Sequence, residues 1–438
     1  MQINKLYILL LPIIFLNNCG TRDFFGFQEP EVKLEGERVS ILKNISGKDK
    51  KAISSSKIII NDPEVNLEWS QSYNSPTHLA KNYKSKSNFS SFKRLISGYA
   101  EEAESKILAQ PIVKNKAIFF IDAKSIIYSY HLEDRKLIWK KAVTKLNENN
   151  HNIGGGLALN NNRVFVNSPY GEVIAFDMQN GKIIWKKNVF GPLRSSPLIY
   201  NNKIFSLTLD NRLIVIDPDN GDTLWEHEGV QSTTTIMGSP KVAADDNILI
   251  VPYSNGEFYG LNYSNGLVLW KDSFLNIEKA ETSNAFTDID ANPVIVNNMV
   301  ILASSVGKIM ALDKRTGNRL WVKDINTTQT PVVHQNSIFI IDSNKEILNI
   351  DLKNGNLRWI TKIDPILSKD YYNIWYAPVL IDNKLLIVGG DKKLLIVNPI
   401  NGKIELIKNL PSLPASSPLV AEQKVFLMLR NADIITIE

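Results

Sequence analysis

From Pro111 to the C-terminus the chain repeats one phrase of apolar and polar positions. A Pro-led apolar run is followed by an Asn-rich turn, a second apolar run, a polar turn, a third run, and then Asp-x-x-x-Gly-x-x-x-Trp. The clearest copy reads Pro197-Leu198-Ile199-Tyr200-Asn201-Asn202-Lys203-Ile204-Phe205, continuing through Leu213-Ile214-Val215-Ile216-Asp217 to Gly221 and Trp225. Short apolar runs bounded by turn formers predict strands, not helices. Closing tryptophans stand at Trp139, Trp185, Trp225, Trp270, Trp321 and Trp359, with successive gaps of 46, 40, 45, 51 and 38 residues. That interval holds four short antiparallel strands and their turns, the content of one propeller blade.

The turn residues explain the rest of the phrase. Gly181, Gly221, Gly266, Gly317, Gly355 and Gly402 each follow an Asp or Asn by four positions. The side-chain oxygen can accept backbone N–H groups inside the hairpin while the glycine takes a positive φ. Because these acids recur blade after blade, they read as turn formers and not as acid–base catalysts. The tryptophans, large apolar plates at one fixed point of the repeat, are expected to pack against the adjoining blade. The first copy departs from the phrase, with His131 and Arg135 where the others have Asp and Gly, and the seventh carries Leu406 at the tryptophan position. The eighth copy, from Ser417-Pro418, stops at Ile434-Ile435-Thr436-Ile437 without a fourth strand. Ile58-Ile59-Ile60, Asn61 and Leu67-Glu68-Trp69 have the ending of such a strand, and their insertion would remove both open edges. The expected fold is all-β, an eight-bladed β-propeller of four-stranded antiparallel blades whose last blade is closed by the N-terminal strand, spanning residues 57–438.

Composition agrees with a buried core: 44% of the 438 residues are hydrophobic and 22% charged. The length alone would suggest several domains, but a closed ring of repeats runs this long as one. The net charge of +5 is small for the size and points to no nucleic-acid partner. Cys19 is the only cysteine, which excludes an internal disulfide and a CxxC pair. Before it, Lys5 and an apolar run from Leu6 to Leu16 are too short to span a membrane and have the form of a secretory signal, residues 1–18. Leu16-Asn17-Asn18-Cys19 resembles the lipobox of bacterial lipoproteins, which implies an acylated Cys19 as the first mature residue, with charge 5 − 1 = +4. Gly20 stands where that family's inner-membrane retention signal places Asp, so export to the outer membrane is expected. Residues 19–56 lack a sustained period and read as a lipidated N-terminus and flexible linker.

The Asp-x-x-x-Gly-x-x-x-Trp phrase resembles the repeat of pyrroloquinoline-quinone-type propellers, over about 370 residues from Ile58 to Glu438. Together with the lipobox it resembles the BamB family of outer-membrane lipoproteins. That resemblance implies a scaffold facing the periplasm, bound to the periplasmic (POTRA) domains of BamA and to other components of the β-barrel assembly machinery. Contact with unfolded β-barrel substrates is a further expectation. Leu193-Arg194 resembles the Leu-Arg of the family's partner-binding loop, with Gly191 in place of a second leucine. Asp288-Ile289-Asp290 resembles its Asp-x-Asp loop. Read without the resemblance, the first pair is an ordinary loop and Asp288 and Asp290 are turn caps. Both segments fall between a closing tryptophan and the next leading proline, so they emerge on one face of the disc, with Thr233 to Met237 between them.

Other chemistry finds little support. Quinone-dependent dehydrogenases share the repeat, but the adjacent cysteines common in that family are absent, and no dense oxygen-ligand spacing is present. His78, His131, His151, His227 and His334 are isolated, without HxxH or HExxH spacing. Gly154-Gly155-Gly156 lacks a following Gly-Lys-Ser/Thr and reads as backbone crowding near the central channel. Lys81 to Arg94 interleaves basic and aromatic residues and is expected to be a surface insertion; Tyr371 to Tyr376 is a second, aromatic insertion. No catalytic residue, metal ligand or cofactor is assigned. A glycan- or peptide-binding propeller, using the central channel, remains as a third class.

Overall fold

The computed structural model describes residues 54–143, 154–193, 195–230, 240–274, 289–363 and 374–438. Its propeller belongs to one compact unit, Ile45–Glu438. Eight four-stranded antiparallel sheets follow one another, and in seven of them the strands are consecutive in the chain, as in Leu198–Tyr200, Lys203–Leu207, Arg212–Ile216 and Thr223–Glu228. The middle strands are covered on both faces by neighbouring blades, and so read as unbroken apolar runs. Ala117–Ile121 and Ile248–Pro252 are buried at every position. Outer strands alternate, as Ile183–Asn188 does, because one face meets solvent.

Each outer strand of the first seven blades carries a bulge one residue before the closing position. Trp225 pairs with Val215 but Thr223 with Ile216, leaving Leu224 extra; Trp270 pairs with Gly260 and Val268 with Leu261, leaving Leu269 extra. The bulge increases the local twist and turns the indole sideways into the next blade. There it lies against the glycine of that blade's turn: a Cβ on Gly317 would sit 2.7 Å from Trp270, and one on Gly402 2.5 Å from Trp359. The indole N–H also donates to a turn carbonyl, Trp139 to Met178 at 2.9 Å and Trp270 to Lys314 at 2.9 Å. The turn acids behave as expected, Asp177 Oδ1 accepting from the Gln179 and Asn180 amides at 2.9 and 3.0 Å.

The ring is closed by an N-terminal strand, but not by the segment expected. Phe92–Ser97 pairs with Asp433–Ile437 as the outer strand of blade eight. Residues 57–70 form no strand there. Ser54 N–H donates to Leu357 O, and the Ser54 and Ser56 hydroxyls reach Asp351, so the chain begins on the outer part of blade six. It then runs inward across the face that carries the Asp-x-x-x-Gly turns, here the turn face, with Asn61 N–H donating to His334 Nε2.

Residues 69–86 then circle the central channel. The innermost strand of every blade leaves its inner edge unpaired, and buried backbone groups need partners. The strap supplies one to each blade in order. Trp69 exchanges both backbone hydrogen bonds with Val113 of blade one. Ser70 O accepts from Leu159 and the Gln71 side chain from Ile199. Pro76 O accepts from Ala244, and Thr77 O from Ile295. Ala80 N–H donates to Val333 O, Tyr83 bridges Leu380 and Asp382, and Lys86 N–H donates to Gln423 O of blade eight. Tyr83 and Phe89 are buried, so the stretch from Lys81 to Arg94 is channel strap and approach to the closing strand, not a surface insertion.

Two neutral histidines pin the strap. His78, 3% exposed, donates from Nδ1 to Pro293 O at 2.7 Å; His334 donates from Nδ1 to Ala80 O at 3.1 Å while its Nε2 accepts from Asn61. Burial pulls the His78 imidazole down to about 4 and lowers His334 in the same direction. Between about pH 4 and 6.5 the unfolded chain therefore binds the His78 proton and the folded chain does not, so stability falls as pH falls through that window. In urea unfolding at pH 7 and pH 4.5, wild type is expected to lose about 2 kcal/mol more than His78→Gln; equal losses would exclude the buried neutral imidazole. A second expectation concerns the indole seat. Gly307→Ala, also at positive φ but with its Cβ no nearer than 3.9 Å to Asn326 Cβ, should lose roughly 1 kcal/mol, whereas Gly317→Ala should lose roughly 3 kcal/mol by urea midpoint at unchanged slope. Equal losses would show that the Trp270 contact adds nothing.

Candidate functional site

The strap divides the channel. Towards the turn face the channel is crossed by residues 61–86; the opposite face carries the connections between blades, and there the described residues leave it uncovered. What remains is a blind funnel of about 330 Å³, opening on the loop face. The 3₁₀ turn Ser72–Asn74 forms its floor, with Tyr73 held at φ 57°. A non-glycine residue in that conformation is fixed by its surroundings. Tyr73 N–H donates to Gln110 Oε1 at 3.4 Å, and its hydroxyl bonds with Thr330 and Asn292, which are themselves linked at 2.8 Å. Burial raises the Tyr73 hydroxyl above its ordinary value, so it is a neutral donor. Lys241 N–H donates to Asn292 Oδ1 at 2.7 Å, which sets its side chain in the wall, with the ammonium 6.0 Å from the Tyr73 ring centre. Desolvation lowers that ammonium to about 8. Gly156 lies at the wall where a Cβ would meet Ser196 Oγ at 2.1 Å, so the Gly154-Gly155-Gly156 run is indeed backbone crowding at the channel.

Outside the funnel, the described part of the loop face exposes Phe190 at 84% and Val230 at 61%. Each stands five residues after a closing tryptophan, Trp185 and Trp225, in adjacent blades. Phe190 takes φ 54°, with its N–H donating to Asn188 Oδ1 at 2.8 Å.

The residues singled out in the sequence are distributed unevenly. Leu193 is fully buried against Val173, Val189 and Ile214, so it fastens its loop between blades two and three and offers no contact surface. Ile289 is likewise buried, and Asp290, half-buried and with partners of its own, lines the funnel. Cys19, Arg194, Asp288 and the loop Thr233 to Met237 lie outside the described residues. Of the aromatic insertion, Tyr371 to Asn373 are also outside, while Trp375 is buried and Tyr376 lines the funnel. Sequence reading missed Tyr73, Lys241 and Phe190. The repeat phase offered a signal for Phe190 alone. Among the described residues no group of three or more His, Cys, Asp or Glu could hold a metal ion.

Comparison with known proteins places this arrangement. An uncharacterized protein of Rickettsia prowazekii is 29% identical over 223 residues, covering 50% of this chain and 53% of that protein. The outer membrane protein assembly factor BamB of Yersinia pestis is 23% identical over 223 residues, covering 50% and 57%. The chain thus spans about half the length of the curated relatives it matches. Among solved structures, BamB from Moraxella catarrhalis superposes with a TM-score of 0.66 at 17% identity, covering 79% of this chain and 99% of that one. A quinohemoprotein alcohol dehydrogenase from Comamonas testosteroni gives 0.66 at 11%, covering 84% and 80%; at such identities both share the fold. The family profile for outer membrane protein assembly factor BamB matches residues 100–361, more than half of the chain, and the protein belongs to that family.

Proposed function

We propose that the protein is a non-enzymatic scaffold lipoprotein that binds the periplasmic POTRA domains of BamA and assists assembly and insertion of β-barrel proteins into the outer membrane. Family membership supports the assembly role, and relatives such as that of Yersinia pestis are named as assembly factors. In this reading residues 1–18 are a signal peptide, Cys19 is acylated, and residues 19–56 link the lipid to the propeller in the periplasm. The observation that carries the reading is Phe190. A phenylalanine 84% exposed in a left-handed conformation is poorly placed for folding alone, and aromatic and arginine side chains are what interface centres favour. Arg194, Asp288 and Asp290 share that face by repeat phase, with Leu193 setting the loop from beneath.

Affinity purification from detergent-solubilised membranes tests this. Wild type is expected to recover BamA and the other components of the machinery. Phe190→Asp, and separately Arg194→Glu with Asp288→Arg, should leave thermal unfolding unchanged and reduce BamA recovery at least tenfold. Full recovery with both variants would reject this face as the binding surface. Recovery of cell-wall material without BamA would reject the scaffold reading. Cys19→Ala should abolish incorporation of labelled palmitate.

A further inference from the structure

The funnel wall holds an ammonium, that of Lys241, with no carboxylate at ion-pair distance among the described residues. Lys241 forms no ion pair with any described carboxylate, and the Tyr73 ring 6.0 Å away is a weak substitute for one. Asp290 is the one carboxylate among the described lining residues, and it does not stand at ion-pair distance from Lys241. Withdrawing an ammonium from water without a counter-ion is costly, and desolvation alone accounts for its lowering to about 8. The wall around it is hydrogen-bonding, through the Tyr73 and Thr330 hydroxyls, Asn292 and Ser196, while Leu108 and Ile374 supply apolar lining. The strap closes the funnel towards the turn face, a shape that suits the end of a chain.

We infer that the funnel is a binding site for a chain end bearing a free carboxylate, seated against Lys241 and the donors around Tyr73. One monovalent ammonium matches one carboxylate; a phosphate dianion would be left half-neutralised, with no arginine among the described lining residues to complete the match. The volume is at the lower end of ligand pockets and suits the last residues of a peptide or a small carboxylic acid. The funnel shares Asp290 with the proposed binding face, but Lys241 and Tyr73 belong to the funnel alone, so loss of carboxylate binding in Lys241→Met and loss of BamA recovery in Phe190→Asp are separate outcomes.

Binding is measured by isothermal titration to the full-length protein in detergent. The probes are a mixture of N-acetylated pentapeptides with free C-termini, the same mixture amidated, and N-acetylglycine. The acid peptides are expected to bind at least tenfold more tightly than the amides. Lys241→Met should remove that preference while retaining or raising the thermal midpoint, since a part-buried ammonium without an ion-pair partner is replaced by an apolar chain of similar length. Lys241→Arg, should Lys241→Met fold poorly, should keep the preference. If N-acetylglycine competes as well as the pentapeptides, the site takes small carboxylates; if only the pentapeptides bind, it takes polypeptide ends. Either pattern supports the carboxylate site. Equal affinity for acid and amide, an unchanged preference in Lys241→Met, or no saturable binding of any probe at millimolar concentration would overturn it.

Discussion

The contact on which the ring depends is the indole of one blade lying against the turn glycine of the next. It is a one-to-one correspondence. Trp139, Trp185, Trp225, Trp270, Trp321 and Trp359 meet Gly181, Gly221, Gly266, Gly317, Gly355 and Gly402, each with a hypothetical Cβ within 3 Å of the ring. The glycine is required twice, for its positive φ and for the space above the indole. Blade eight ends in Phe92–Ser97, which has no tryptophan, and blade one correspondingly has Arg135 in its turn, itself at φ 54°. A position that must be left-handed tolerates arginine once no ring lies against it. The repeat is therefore an interface rule written into each blade, with its exceptions at the seam of the ring.

At that seam other contacts take over. Tyr99 N–H donates to Asp122 Oδ2 and Ala123 N–H to Tyr99 O, fastening the end of the closing strand to the next turn of blade one. Lys124 lies 4.3 Å from the Tyr99 ring centre. A second exception marks the other end of the N-terminal segment. The bulged residue before the closing tryptophan is aliphatic in five blades, Ile138, Ile184, Leu224, Leu269 and Leu320, but is Arg358 in blade six. Arg358 is buried with Asp351 at 3.0 Å, and the pair receives the Ser56 hydroxyl, so the repeat breaks where the incoming chain crosses.

These breaks show what the sequence could reveal. Blade number, turn positions and tryptophan packing follow from short-range periodicity, since each blade is built by the same local rules. The strap has no period, because each of its residues answers a different blade, and its partners lie up to more than 300 positions away, as with Lys86 and Gln423. Leu67-Glu68-Trp69 imitates a strand ending, yet no glycine stands four residues before Trp69, and Trp69 is instead buried in the channel with its ring 5.2 Å from that of Tyr83. Leu193, expected as a partner contact, is buried, because apolarity alone does not separate a residue that fastens a loop from one that meets a partner. Lys241 was one lysine among many; only the closed floor beneath it gives it a distinct chemistry.

The strap also bears on how the propeller responds to force. Tension applied to the chain at Ser54 would meet its contacts on the outer part of blade six before any residue in the channel. The hydrogen bonds there would be loaded first, and the contacts with the eight inner strands would follow in chain order. Each backbone bond contributes only about 1 kcal/mol net, but together they unite the strap with the blade cores, whose opening costs approach the global stability. Beyond the strap the same chain becomes the outer strand of the last blade, paired along Asp433–Ile437. A segment loosely laid over the surface would peel away without affecting the ring. One that bonds to every blade and then closes the seam cannot be withdrawn without opening the propeller, so strap and blades act as one cooperative unit.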